Sequence, residues 1–168
     1  MRNTFDTAGP EITIRPVRSG DELLVQEIFD GMSPESRYQR FLQAMPRLSP
    51  GMRRMLADVD GTRHRAWAAY FGDRSVGVVR LISDQTGDHE LSVAVVDAMH
   101  RRGIGQLLVE TALAAAHTEG LDLVSVIIHP DNAASITMFR RLGTRFRFEF
   151  GLLIGRVPVR TAASAVAA

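Results

Sequence analysis

The chain has 168 residues, 45% hydrophobic and 23% charged, with a formal net charge of +1 at pH 7. That length and balance predict one soluble globular domain burying about two-thirds of the surface its unfolded chain exposes, with no massed basic field for nucleic acid. The absence of cysteine excludes disulfides, thiolate metal ligands and a cysteine nucleophile.

Residues 1 to 10 are a polar lead-in without the order of an export signal, and no apolar run reaches membrane-spanning length. A cytoplasmic protein with no membrane partner is therefore expected. Ile12 to Val17 alternates as a first strand, with Pro16 suited to an edge or a strand end. Asp21 caps a helix carrying Leu23, Leu24, Ile28 and Phe29, which Gly31 ends. Ser33-Pro34-Glu35 offers an N-cap, a first-turn proline and an acidic residue for a second helix running to about Met45. Ser49-Pro50 starts a third, short helix with Met52, Met55 and Leu56 on its apolar side, the methionines as core filler.

His64 to Phe71 and Ser75 to Ile82 read as a hairpin across Gly72-Asp73, and Thr86-Gly87-Asp88 turns the chain into the strand Leu91 to Val96. His100-Arg101-Arg102-Gly103-Ile104-Gly105 follows without a gap. Beyond it, Ile104, Leu107, Leu108, Thr111, Ala112 and Ala115 recur at helical spacing until Gly120, predicting a helix from Gly103 to about Glu119 buried on that face. Leu121 to Ile128 is an apolar strand broken by His129-Pro130-Asp131, and Asn132 to Leu142 is a helix closed by Gly143. Arg145 to Phe150 alternates Phe146, Phe148 and Phe150 with polar residues as a strand with one buried face, pairing with Leu152 to Val159. Thr161 to Ala168 is a flexible small-residue tail.

A strand running through a glycine turn into a helix is a place for an anion. Helix N-termini carry unpaired N–H groups and the positive end of the macrodipole, and glycine admits a ligand where a Cβ blocks it. All 20 basic residues are arginine, so no Walker-type lysine exists, and Leu108 stands where a dinucleotide pattern needs its third glycine.

Glu90-Leu91-Ser92-Val93-Ala94-Val95, then Arg101-Arg102-Gly103-Ile104-Gly105-Gln106, then Asn132 through Gly143 resemble, in order and spacing, the GNAT superfamily of acyl-CoA-dependent N-acetyltransferases. Ser33 to Phe41 resembles the bacterial protein lysine acetyltransferases within it. The resemblance implies one N-acetyltransferase domain over residues 11–160. It implies an α/β (α+β) fold: a mixed, twisted, mostly antiparallel sheet flanked by helices, its central strands splayed to admit acetyl-CoA. The backbones of Val93 and Val95 would hold the pantetheine arm and those of Arg101, Arg102, Gly103, Ile104, Gly105 and Gln106 the pyrophosphate. Asn132 would bond the pantetheine or simply cap its helix. His100 replaces the family's usual glutamine or arginine. Arg37, Tyr38 and Arg40 become candidate acceptor contacts.

Acetyl transfer needs a neutral amine, and removing the proton from one of pKa about 10.4 costs about 4.6 kcal/mol at pH 7. Glu90 occupies the position that similar enzymes give to a general base. On a strand it shares a face with the small Ser92 and Ala94, where partial burial would suit that role. His89 points the other way and ranks second; the family's alternative base position holds Ile127, and His129 is expected to be structural. Phe139 stands where many relatives have a tyrosine proposed as general acid. Releasing a thiol of pKa about 8.5 unprotonated costs only about 2 kcal/mol, so direct transfer remains reasonable without one. The expected function is acetyl transfer from acetyl-CoA to a primary amine, a protein lysine or a small molecule. The alternative is a noncatalytic acyl-CoA-binding regulatory module.

Overall fold

The computed structural model describes residues 11–159; the lead-in and tail expected at 1–10 and 161–168 lie outside the described residues. The strands β1 (Ile12–Pro16), β2 (His64–Phe71), β3 (Arg74–Ser83), β4 (His89–Val95), β5 (Leu123–Ile128), β6 (Arg145–Glu149) and β7 (Leu152–Pro158) form one sheet in the order β1-β2-β3-β4-β5-β7-β6. Every neighbouring pair is antiparallel except β4 and β5. β3 and β4 stay in register from Gly77–Val95 to Ser83–His89, whereas β4 and β5 share the single pair Glu90–Ser125. The central strands are thus splayed beyond Glu90.

Short polar side chains start the helices. Asp21 Oδ1 accepts from Leu24 N at 3.1 Å to open α1 (Glu22–Asp30), and Ser33 Oγ accepts from Ser36 N at 3.2 Å to open α2 (Pro34–Phe41). Ser49 Oγ and Asn132 Oδ1 do the same at 3.1 Å for α3 (Pro50–Ala57) and α5 (Ala133–Arg141). Among the described α-helices, only α4 (Ile104–Thr118), which begins after Gly103, has no side-chain cap. Its far end is closed by Gly120 N–H on His117 O and Leu121 N–H on Ala116 O.

The register places Arg80, Ile82, Glu90, Ser92 and Ala94 on one sheet face, beneath α1 and α2, and Val79, Leu81, Leu91, Val93 and Val95 on the other, beneath α4. Ile104, Leu108, Val109 and Ala112 of α4 are at most 1% exposed against that second face. Each large side chain buried there contributes about 1.5–3 kcal/mol, which overrides the missing cap.

A 3-10 turn, Asp97–Met99, separates β4 from the glycine turn, which were expected to be contiguous. Asp97 ties it to the α1–α2 connection: its N–H donates to Gly31 O at 3.0 Å and its Oδ1 accepts from Ser33 N at 3.2 Å. Burial alone would raise the Asp97 carboxyl, but the bonds from Ser33 and Ser36 and the nearby His100 outweigh it and hold it below its ordinary value. A Cβ on Gly31 would lie 2.4 Å from Val96 Cγ1. Gly31→Ala is therefore expected to destabilise the fold by about 1–3 kcal/mol. Urea denaturation checks this, and Val96→Ala in the same chain should recover part of the loss.

Some sequence expectations need correction. The second helix stops at Phe41 rather than near Met45, because Leu42 turns left-handed (φ 58°) and Pro46 disfavours helical backbone before it. β5 starts at Leu123, Leu121 being spent on the α4 exit. Leu107 is 46% exposed; Val109, Leu113 and Ala116 complete the α4 face instead. Met55 is 57% exposed rather than core. β6 is the sheet edge, so Phe148 and the turn residue Phe150 stay exposed instead of burying one face.

Candidate functional site

Where β4 and β5 part, a cleft of about 990 Å³ opens between α2, the 100–106 turn and the start of α5. Val96 N–H donates to Val76 O at 2.9 Å. Alternation along the antiparallel ladder then turns the N–H and C=O of Val93 and Val95 away from β3, toward the space that β5 has left. The Val95 carbonyl is already engaged, with His100 Nε2 at 2.8 Å. The backbone of Val93 and the N–H of Val95 line the cleft as an unpaired strand edge.

At the cleft's end the chain turns sharply. Arg101 (φ 61°) and Gly103 (φ 76°) are both left-handed, which turns the backbone into α4 with successive N–H groups converging. The helical ladder starts with Leu107 N–H on Gly103 O at 3.1 Å, so the amides of Ile104, Gly105 and Gln106 stand ahead of it, at the positive helix end. Nothing lies within 4 Å of a Cβ position on Gly103, and Val95 Cγ2 and Met138 Sδ lie 3.8 and 4.0 Å from one on Gly105. The Ile104 side chain is 1% exposed and locked in the core, so this residue offers the cleft only its backbone. Arg101 lines the cleft and Arg102 does not. This cradle suits a diphosphate: donors, dipole and open space coincide.

Glu90 lines the same cleft, at the point where the strands separate. It is exposed rather than partly buried, because β5 departs at that residue and α2 stops at Phe41. Ser92 follows on the same face, and its Oγ accepts from Arg40 Nη2 at 3.0 Å. Beneath them Arg80, opposite Ser92 in register, is 3% exposed, with Nη2 donating to Leu56 O at 3.3 Å. Its Nε has no partner among the described residues. Burial, and then the adjacent Arg40, push the Arg80 guanidinium down to about 9. Sequence reasoning missed Arg80; its one signal was a charge inside the apolar run Val78-Val79-Arg80-Leu81-Ile82.

Of the other candidates, Arg37 is structural, stacked 4.0 Å over the Phe29 ring and donating to Phe29 O and Pro46 O. Tyr38 packs edge-on against His129 at 5.2 Å, joining α2 to the loop after β5. Ile127 faces the cleft, as does Phe139, which is 2% exposed and has no hydroxyl to offer. Asn132 caps α5 through Oδ1 and also lines the cleft. Met99, Ser135, Met138 and Arg141 complete a wall that the sequence reading did not assign. No cluster of three or more potential metal ligands occurs among the described residues. No helix among them is long and apolar enough to cross a membrane.

Residues 25–144 match the profile of the Acetyltransferase (GNAT) family. An acetyltransferase of Pseudomonas aeruginosa is 26% identical over 117 residues, 67% of this chain and 63% of that relative's length. Among solved structures, the GNAT domain of S. lividans PAT is 25% identical with a TM-score of 0.79, covering 86% of this chain and 89% of that one. A Bacillus subtilis acetyltransferase in complex with CoA shares the fold at 16% identity and a TM-score of 0.61, over 89% of this chain and all of that one (100%).

Proposed function

The chain belongs to the acetyltransferase (GNAT) family, and on that premise we propose that it transfers the acetyl group of acetyl-CoA directly to a primary amine, a protein lysine or a small molecule. One observation carries the reading: the uncapped start of α4 and the Glu90 carboxylate open onto the same cleft, at opposite ends of the unpaired edge of β4. The likeness to the PAT domain supports the resemblance to the protein lysine acetyltransferase branch. The CoA complex of the same fold supports the choice of cosubstrate.

In this reading the amides of Ile104, Gly105 and Gln106 bind the diphosphate, with Arg101 adding charge, and Val93 and the Val95 N–H pair with the pantetheine amides as a strand would. Bound acetyl-CoA supplies the thioester. Glu90 takes the amine's proton, and its exposure means that it does so directly or through one intervening water. Phe139 donates no proton, so the leaving thiolate is protonated by water or by the second proton that the acceptor nitrogen gives up as the amide forms. Asn132 holds the start of α5 and leaves its NH2 group for a pantetheine oxygen.

Because Phe139 lacks a hydroxyl, a regulatory module that binds acyl-CoA without transfer is the second reading. Calorimetric titration with acetyl-CoA, followed by mass spectrometry of amine and peptide acceptors, separates the two. The proposal expects one bound acetyl-CoA per chain and an acetylated amine; binding without any acetylated product would favour the second reading.

A further inference from the structure

We propose that the amine acceptor carries a carboxylate, and that Arg40 is the residue that selects it. The inference rests on the acetyl-transfer reading for the identity of the ligand as an acceptor, but its charge argument concerns the cleft alone.

Arg40 comes from α2 and lies half-buried in the cleft wall, held by its hydrogen bond to Ser92 Oγ and by the Phe41 ring 5.1 Å from its Cζ. A solvated arginine on a helix would have its guanidinium in water. This one instead reaches across the cleft floor to Ser92 of β4, next to Val93, whose backbone lines the cleft. Arg80 lies behind it, and both line a cavity of about 20 Å³ whose remaining walls are apolar, among them Phe29, Val78 and Ala94. Among the described residues neither arginine has a carboxylate within ion-pair distance, although Arg53, Arg65, Arg147 and Arg156 do. The nearest compensation for Arg40 is Glu90, close enough to oppose the effect of burial on it.

Arg40 lines the cleft with Arg80 behind it, and neither guanidinium has an ion-pair partner among the described residues, so this wall carries positive charge that no carboxylate neutralises by contact. Burying unpaired charge is costly, and a site that retains it is matched to an anion that arrives with the ligand. Proton abstraction by Glu90 also needs its carboxylate left unpaired by Arg40. A ligand carboxylate on Arg40 satisfies both demands, since the planar guanidinium has donors beyond the one spent on Ser92 and accepts a carboxylate edge-on.

The spacing limits the ligand further. Glu90 and Ser92 are two residues apart on one strand face, about 7 Å, so amine and carboxylate are separated by a few bonds. That describes a free amino acid or a short amino acid derivative. A lysine within a neutral peptide brings no carboxylate to this place.

The test compares matched acceptors differing only in charge, such as free amino acids and their carboxamides, together with a neutral lysine peptide. Turnover is read as thiol release in the presence of acetyl-CoA, and binding to the CoA-loaded protein by calorimetry. The wild type is expected to show kcat/KM at least about 10-fold higher for carboxylates than for carboxamides. Arg40→Gln should bring that ratio close to one, mainly through KM for the carboxylate, with acetyl-CoA affinity unchanged. Arg40→Lys, which keeps the charge, should retain part of the preference. Equal turnover of carboxylates and carboxamides by the wild type, preference for the neutral lysine peptide, or an undiminished ratio in Arg40→Gln would overturn the inference while leaving acetyl transfer intact. Carboxylate-selective binding that is lost in Arg40→Gln, with no acetylated product from any amine, would keep the inference and remove the transfer reading. No carboxylate-selective binding and no turnover would end both.

Discussion

Glu90→Gln is expected to lower kcat/KM for amine acetylation by about 10²–10⁴-fold at neutral pH, the range that a positioned base contributes. The substitution keeps the size and hydrogen-bonding reach of the side chain, and Glu90 is exposed, so stability and acetyl-CoA affinity should barely change. The deficit should shrink as pH rises toward the amine's own pKa, about 10.4 for a lysine-like acceptor, because there the acceptor arrives neutral without help. Steady-state rates across the range from neutral pH to that pKa check both parts. A Glu90→Gln enzyme with an unchanged rate and intact cosubstrate binding would take the base role away from this residue.

The second large effect belongs to the turn. Gly105→Asp should weaken acetyl-CoA binding by at least about 100-fold. A carboxylate about 4 Å from a phosphate charge costs about 4 kcal/mol at an effective dielectric of about 20, and solvent at the cleft mouth removes only part of that. The same aspartate, in the first turn of α4, suits the helix dipole, so the protein should fold as well as before. Gly105→Ala is the control. Its Cβ meets only ordinary contacts at 3.8 and 4.0 Å, and affinity should stay within about threefold. Calorimetry of the two variants thus separates the loss of an anion site from the loss of a glycine.

Much of this architecture is legible in the chain because local chemistry decides it. The caps Asp21, Ser33, Ser49 and Asn132 all work where the sequence puts them, and each has a short polar side chain followed by a helical run. The turn at Gly103 is legible for the opposite reason: a long apolar helix begins there with no capping side chain at all. The gathering of Glu90, Val93, Val95, Arg101, Gly103, Ile104, Gly105, Gln106 and Asn132 around one cleft follows from reading strand, turn and helix as one unit. Arg102 was expected with them and lies outside it.

What the sequence conceals is set by neighbours far along the chain. Residues 104, 108 and 112 can be extended into a stripe on either side, and only the position of the sheet selects Val109, Leu113 and Ala116 over Leu107. Phe148 and Phe150 alternate as a buried strand would, yet β6 sits at the sheet edge and both rings are exposed. Arg37 and Arg40 lie three apart on the same helix and look alike in sequence. Phe29 and Pro46 claim the first and Ser92 the second, so only the second reaches the cleft. Arg80 shows in the sequence only as a charge inside an apolar run, and its place behind Ser92 emerges once β3 and β4 are in register.

The central claim is that backbone amides at one helix start grip a diphosphate and thereby lay a thioester along β4 toward Glu90. Backbone amide NMR during titration with acetyl-CoA tests it most directly. The largest saturable shifts should fall on Ile104, Gly105, Gln106 and Val93, with smaller ones at Glu90 and Ser92. Binding that moves amides elsewhere and leaves 104–106 at their free positions would contradict the account.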